Sequence, residues 1–528
     1  MGAYITSGNT LRFSNLCSVI KVSVSNESGR DDKVIKEIRI DADNTYLSGA
    51  GTATVTTSSS SDSDDDNKIT ITPTGGKKYV KLARSNGGNM KTIAAAGQPA
   101  DFYIVVPEFS TSDNITITVT TTTGYKKMKF SGVTLNHSSV VTADINVATL
   151  KPLPAKLVEG TTFKSIVQPN FKLATSPVTK IKFEYNISTI PGSYTELQTS
   201  DSPTPIYGYV SGDTYIVATQ ADSIMANSDC SQMFRWMLSL KSVDFGTQFN
   251  TSSTTSLFQM FYHCTGLTGT LVFPETFYTK NVTRMDEMFK ECENLQSISF
   301  PETFQTGQVI NMHAMFQTCK KLESLDLSMF NTERVTTMQA MFDACYKLSS
   351  VNLSSFNTSG VTSMLAMFRD CQVLESLSLG NNFVTSNVTT MEQMFKNCKK
   401  LTEFNLSNFN TSRVTNMSEM FYNCEKLGVL TLGADFTMSA VENCYDASNN
   451  FTGRFGRMFA YTGRYATNGT ANKCDVYCST YVQNFFAADR NGSFHASHPT
   501  IPQNNAFTHS DAVQDFCIFQ NWPSNTAK

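Results

Sequence analysis

Charge is what this 528-residue chain has little of: only 16% of its residues are Asp, Glu, Lys or Arg, and they nearly cancel, leaving a net charge of −3. A nucleic-acid partner calls for basic stripes, and none is present, so no nucleic acid is expected. Long apolar runs are also missing: none reaches the roughly 18–20 residues of a membrane span, so no transmembrane segment is expected. No signal peptide is visible, and Met1-Gly2-Ala3 reads as an expression start with a targeting segment already removed. Histidine is scarce, at six residues. There is no Gly-x-Ser-x-Gly elbow, phosphate loop or dinucleotide fingerprint. His263 and His313 read as surface positions, and nothing in the sequence brings two carboxylates together as a glycosidase needs. The expectation is a protein that is not an enzyme and holds no cofactor.

What the chain does have is a repeat. Residues 326–345 (DLSMFNTERVTTMQAMFDAC), 352–371 (NLSSFNTSGVTSMLAMFRDC) and 405–424 (NLSNFNTSRVTNMSEMFYNC) are three copies of it. Its Met-Phe-x-x-Cys box places Cys264, Cys292, Cys319, Cys345, Cys371, Cys398 and Cys424 at steps of 28, 27, 26, 26, 27 and 26 residues. A fixed period of this size predicts a solenoid, in which stacked units bury a face that none can bury alone.

Within a unit, Met285, Met288, Phe289 and Cys292 stand at i, i+3, i+4 and i+7, as do Met417, Met420, Phe421 and Cys424. That spacing predicts one face of a short helix. Thr283, Thr336 and Thr389, followed three residues on by Asp286, Gln339 and Glu392, look like capping boxes for it. Next comes Leu-x-x-Leu-x-Leu (Leu322, Leu325, Leu327), read as a strand with alternate residues inward. Phe-Asn-Thr, as in residues 330–332, closes the turn, with the asparagine expected to bond nearby backbone. Helices pack about 8–10 Å apart, beyond the roughly 7 Å between Cα atoms that a disulfide tolerates. The repeat cysteines are therefore expected as buried thiols and the methionines as core.

The joint pattern L-x-x-L-x-L-S-x-F-N-T-x-x-V-T-x-M-x-x-M-F-x-x-C resembles the BspA-like leucine-rich repeats of bacterial surface proteins, over about residues 210–440. Two early units depart from it, with Phe-Pro-Glu-Thr-Phe at 273–277 and 300–304. Residues 1–150 alternate apolar and polar, as in Ile20, Val22, Val24 and in Ile115, Ile117, Val119, which predicts an all-β sandwich. The runs at 10–26, 33–40 and 100–108 resemble fimbrillin-like domains, which implies a transthyretin-like sandwich used for anchoring or pilus assembly. The expected fold is thus multidomain: a fimbrillin-like β-sandwich (1–150), a linker and N-terminal cap (151–232), an α/β leucine-rich-repeat solenoid (233–439) and a C-terminal cap (440–528).

The acidic loop at 62–67 could attract calcium, but it lacks the glycine and closing glutamate of a calcium loop and reads as solvated. Cys17 reads as buried within a strand. In the C-terminal cap, Cys474-x3-Cys478 and His495-x2-His498 form a candidate zinc set. Sixteen residues separate the two pairs, and no strand-then-helix order accompanies them, so no metal is assigned and a disulfide or thiols are expected. Cys444, Cys474, Cys478 and Cys517 allow three disulfide pairings, which stay open.

The expected function is adhesion. The outward strand positions Asp326, Asn352, Ser378 and Asn405, flanked by Glu323, Glu375 and Glu403, form a polar, mildly acidic stripe suited to a protein or glycan. The family resemblance implies an exported protein at the bacterial cell surface or outer membrane, meeting a host or neighbouring-cell partner. The alternatives are a fimbrial tip or stalk subunit, assembled with other fimbrial subunits by strand addition, and a hydrolase or zinc protein using the C-terminal cap.

Overall fold

The computed structural model describes residues 150–442 without a break. Outside that range it describes 4–6, 10–12, 17–26, 33–43, 69–71, 79–84, 90–93, 99–107, 109–122, 124–135, 140–146, 458–459, 462–463, 474–479, 482 and 517–521. The chain divides into two compact units, Met1–Pro154 and Ala155–Lys528.

In the first unit, strands Tyr125–Leu135, Phe109–Thr121, Lys33–Ala42, Tyr79–Arg84 and Ile69–Ile71 lie in that order in one sheet. Strands Val140–Asn146, Cys17–Ser25 and Ala100–Pro107 make a second sheet. Because successive side chains of a strand point to opposite faces, Ile20, Val22 and Val24 turn inward together. They share one core with Ile38, Ile40, Ile115, Ile117 and Val119 of the other sheet. The acidic loop at 62–67 and the Cys17 side chain lie outside the described residues.

The second unit opens with the helix Gly160–Val167 and the 3-10 turn Gln168–Phe171. Ile206–Ser211 and Thr214–Thr219 pair as an antiparallel hairpin about Gly212, whose φ of +60° suits glycine at the turn. Phe163 of the helix meets Phe234 edge-on, at 5.7 Å between ring centroids, which ties this segment to the first repeat.

The repeats then depart from the expected architecture. No helix forms in them: between the 3-10 turn Gln168–Phe171 and the short helix Ser439–Glu442 the described elements are all strands. The α/β leucine-rich-repeat solenoid is replaced by short parallel strands in many small sheets, joined by turns. The reason lies in the backbone. Glu287 and Glu291 have φ of 56° and 62°, and two positions four apart do the same in every repeat from Gln232 and Trp236 to Glu419 and Asn423. A left-handed residue at every fourth position breaks the helical i→i−4 ladder. Instead, Met288, Lys290 and Cys292 donate their N–H three residues back, while Glu287, Phe289 and Glu291 donate to carbonyls of the next repeat. The Thr-x-x-Asp/Gln/Glu pattern is therefore no capping box. Thr283 donates both N–H and hydroxyl to the carbonyl of Thr255 in the repeat before.

This backbone still buries the same four side chains. Met285, Met288, Phe289 and Cys292 are all fully buried. The box phenylalanines stack in a file from Phe234 to Phe459, with ring centroids 4.8–5.7 Å apart and planes within 20°. A second file consists of buried threonines. Thr332 donates to the carbonyl of Asn357 at 2.8 Å and accepts its N–H at 2.9 Å, and Thr306 and Thr385 do the same with Asn331 and Asn410. Each such hydroxyl is satisfied as donor and acceptor, so its burial leaves no polar group unpaired. The Phe-Asn-Thr asparagines bond local backbone as turn chemistry requires: Asn331, Asn357 and Asn410 accept the N–H two residues on.

The cysteines form a third file. Cys292, Cys319, Cys345, Cys371, Cys398 and Cys424 each donate a thiol hydrogen to the phenylalanine carbonyl of the preceding box, at 3.1–3.2 Å. The spacing argument against disulfides does not hold, because hydrogen-bonded rows lie about 4.8 Å apart. The cysteines stand as thiols, each aimed at a carbonyl.

Candidate binding faces

The strand face carries the residues read from the sequence, and all seven (Glu323, Asp326, Asn352, Glu375, Ser378, Glu403, Asn405) are exposed. Strands Ser350–Leu353 and Ser376–Leu379 pair in parallel register with Asn352 opposite Ser378. Leu325 pairs with Val351, which brings Asp326 to the next row. Glu403–Leu406 belongs to a different sheet, paired with Val429–Leu432, so Asn405 faces Thr431 and the polar row is interrupted after Ser378.

Part of this row also serves the fold. Asp326, Asn352 and Asn405 each accept the N–H of the residue two positions on, at 2.9–3.0 Å, fixing the turn after the strand. The Ser328 N–H holds the Asp326 carboxyl below its ordinary range. Glu375 pairs with Lys400 across repeats at 3.1 Å, an exposed contact worth little in stability.

The turns that replace the helices build a second face, which sequence reasoning missed. The two left-handed residues of each box and the residue before the second one form three columns. One column runs Arg235, Tyr262, Lys290, Gln317, Asp343, Arg369, Lys396, Tyr422, and beside it runs Trp236, His263, Glu291, Thr318, Ala344, Asp370, Asn397, Asn423. Neighbours along the columns bond each other. Arg369 holds the buried Asp343 through two hydrogen bonds, Nε at 2.8 Å and Nη2 at 2.6 Å, and reaches Gln393. Asn397 donates to Asp370 and Asn423 donates to Asn397. His263 Nδ1 meets Glu291 at 2.5 Å, and the His263 ring lies 4.9 Å from that of Trp236. Burial pushes the Glu287 carboxyl up, but hydrogen bonds from Gln259 and Lys290 outweigh it and hold the group low. Aligning the boxes residue by residue exposes these columns in the sequence.

In the cap, Cys474 and Cys478 are buried on the strand Cys474–Cys478, and burial pushes the Cys478 thiol up to about 12. The Cα partner of Cys474 is Cys517, on the parallel strand Cys517–Asn521. Cys444, His495, His498 and the Cys517 side chain lie outside the described residues. Among the described residues no group of three His, Cys, Asp or Glu side chains is arranged to hold a metal ion.

The repeats match a known family. Its description is Mycoplasma protein of unknown function, DUF285, and the matched stretches are residues 228–351, 296–379 and 351–455. The repeat region is similar to that family, and this likeness, with the helix-free turns, overturns the BspA-like leucine-rich-repeat resemblance. That match begins at residue 228 and gives the fimbrillin-like resemblance of residues 1–150 no support. No curated protein and no solved structure matches the chain. Among the described residues, no helix is long and apolar enough to cross a membrane.

Proposed function

We propose that the repeat stack is a non-catalytic scaffold, displayed at a cell surface, whose strand face binds a protein or glycan. The observation that supports this most directly is the register of exposed polar rows: Ser350 opposite Ser376 and Asn352 opposite Ser378, with Val351 and Leu353 between them buried. A partner meeting this face finds amide and hydroxyl groups at a repeat of about 4.8 Å, on a support held by the files beneath it. Glu375 and Glu403 give one flank an acidic character suited to a partner with basic or hydroxyl groups.

The test is binding of the full chain to an array of matrix proteins and oligosaccharides, repeated with Glu375→Lys and Glu403→Lys. Saturable binding that drops at least tenfold in the double variant is expected. Binding indifferent to both reversals would remove the strand face from consideration.

A further inference from the structure

The first rows of the turn face break the rule that the rest of that face obeys. Further along the column every cation has an acidic partner in hand: Lys290 with Glu287 at 2.9 Å, Arg369 with Asp343 at 2.6 Å, Lys396 with Glu419 at 2.5 Å. Arg235, at the head of the column, has no ion-pair partner among the described residues. Its guanidinium carbon sits 4.9 Å from the centroid of the Tyr262 ring, and its Nε is shut off from solvent without a hydrogen-bond partner. Arg235 thus lacks the carboxylate that every later cation of its column holds.

Trp236 stands beside Arg235. It is 45% exposed and has a φ of 64°, a costly conformation for so bulky a side chain. At that place the other repeats carry His263, Glu291, Thr318, Ala344, Asp370, Asn397 or Asn423. Gln168 holds the Trp236 backbone carbonyl at 3.3 Å, and His263 leans on the indole from one side. An unwalled indole with a charged and hydrogen-bonding rim is a poor seat for an apolar peptide side chain, which gains by being enclosed. It suits a flat ligand with one C–H face and a polar edge.

We propose that Arg235, Trp236 and His263 form a binding site for an acidic saccharide, with the pyranose ring on the indole and its carboxylate on the guanidinium. The carboxylate supplies the partner that the guanidinium lacks, meeting its two terminal nitrogens in the bidentate geometry that arginine offers. The site lies on the turn face, apart from the strand rows, and goes beyond the function proposed for them.

Calorimetry on the full chain tests this, with a glucuronic-acid-containing tetrasaccharide and its carboxyl-reduced, neutral counterpart. Saturable binding of the acidic sugar is expected, at least tenfold tighter than the neutral one. Trp236→Asn should abolish binding while the chain still folds, because asparagine already occupies this place in two repeats. Arg235→Gln should erase the preference for the acidic sugar. Glu375→Lys and Glu403→Lys should leave this binding unchanged, so the two proposals fail separately. No saturable binding, binding that survives Trp236→Asn, or tighter binding of a glutamate-rich peptide than of the sugar would overturn the proposal.

Discussion

Thr462 donates its hydroxyl to the carbonyl oxygen of Phe421 at 2.6 Å, taking the place that a cysteine fills in the repeats before it. In Cys319 or Cys345 the same bond is made by a thiol at 3.1 Å. What this position selects is a small buried donor aimed back one row, and the thiol chemistry itself is idle. Each of these phenylalanine carbonyls also accepts an N–H within its own box, as Phe289 does from Cys292, so both lone pairs are used.

Alkali should unfold the repeats. Burial pushes the thiols of Cys264 and Cys319 up to about 12, and those of Cys292, Cys345, Cys371 and Cys398 well above the ordinary 9.0. Above pH 9 the unfolded chain releases these protons and the folded chain keeps them. Stability is therefore full below that pH and falls as pH rises toward 12, by about 1.4 kcal/mol per pH unit for each thiol. Urea titrations between pH 8 and 11 in reductant should show this loss. Cys345→Ser, which keeps a donor but does not ionise there, should flatten the slope by one thiol's share. An unchanged slope in that variant would contradict the account.

The left-handed positions should respond to residue type in opposite directions. Thr318 is β-branched at φ 62°, where asparagine sits at ease. Thr318→Asn should stabilise by about 1 kcal/mol. Ala366, at φ 53°, should lose about 1–3 kcal/mol as Ala366→Val. Were the box helical, the gain at Thr318 would vanish, since asparagine and threonine are about equal in a helix. Denaturant midpoints of the two variants separate the cases.

Removing one side of a buried pair should cost far more than removing both. The Asp343 side chain is 3% exposed and is held by Arg369 and Gln317. Arg369→Leu leaves that carboxylate without its cation, at a cost of about 3–5 kcal/mol, and Asp343→Leu added to it should recover most of the loss. A thermal-melt cycle over the two singles and the double measures this. Additive losses would mean the pair is not coupled.

How much of this was legible in the residues differs from place to place. The alternation of Ile20, Val22 and Val24 named a strand correctly, because a period of two has one structural meaning. The burial of Met285, Met288, Phe289 and Cys292 was equally readable. Their helix was not, since spacings of three and four serve a helix and a chain of alternating turns alike. The distinguishing sign, a left-handed φ at Glu287 and Glu291, leaves no mark in residue types that include Glu, Thr and Ala.

The sequence by itself therefore determined the period, the buried set and the turn asparagines, since each depends on local chemistry repeated in register. Only the tertiary structure decided that rows bond directly to rows. The N–H groups of Glu287, Phe289 and Glu291 find their carbonyls in the next repeat, and a partner that far along the chain is invisible to any local reading. That same decision gathered Arg235, Trp236, Tyr262 and His263 onto one face, because residues about 27 apart become neighbours only once the rows are stacked.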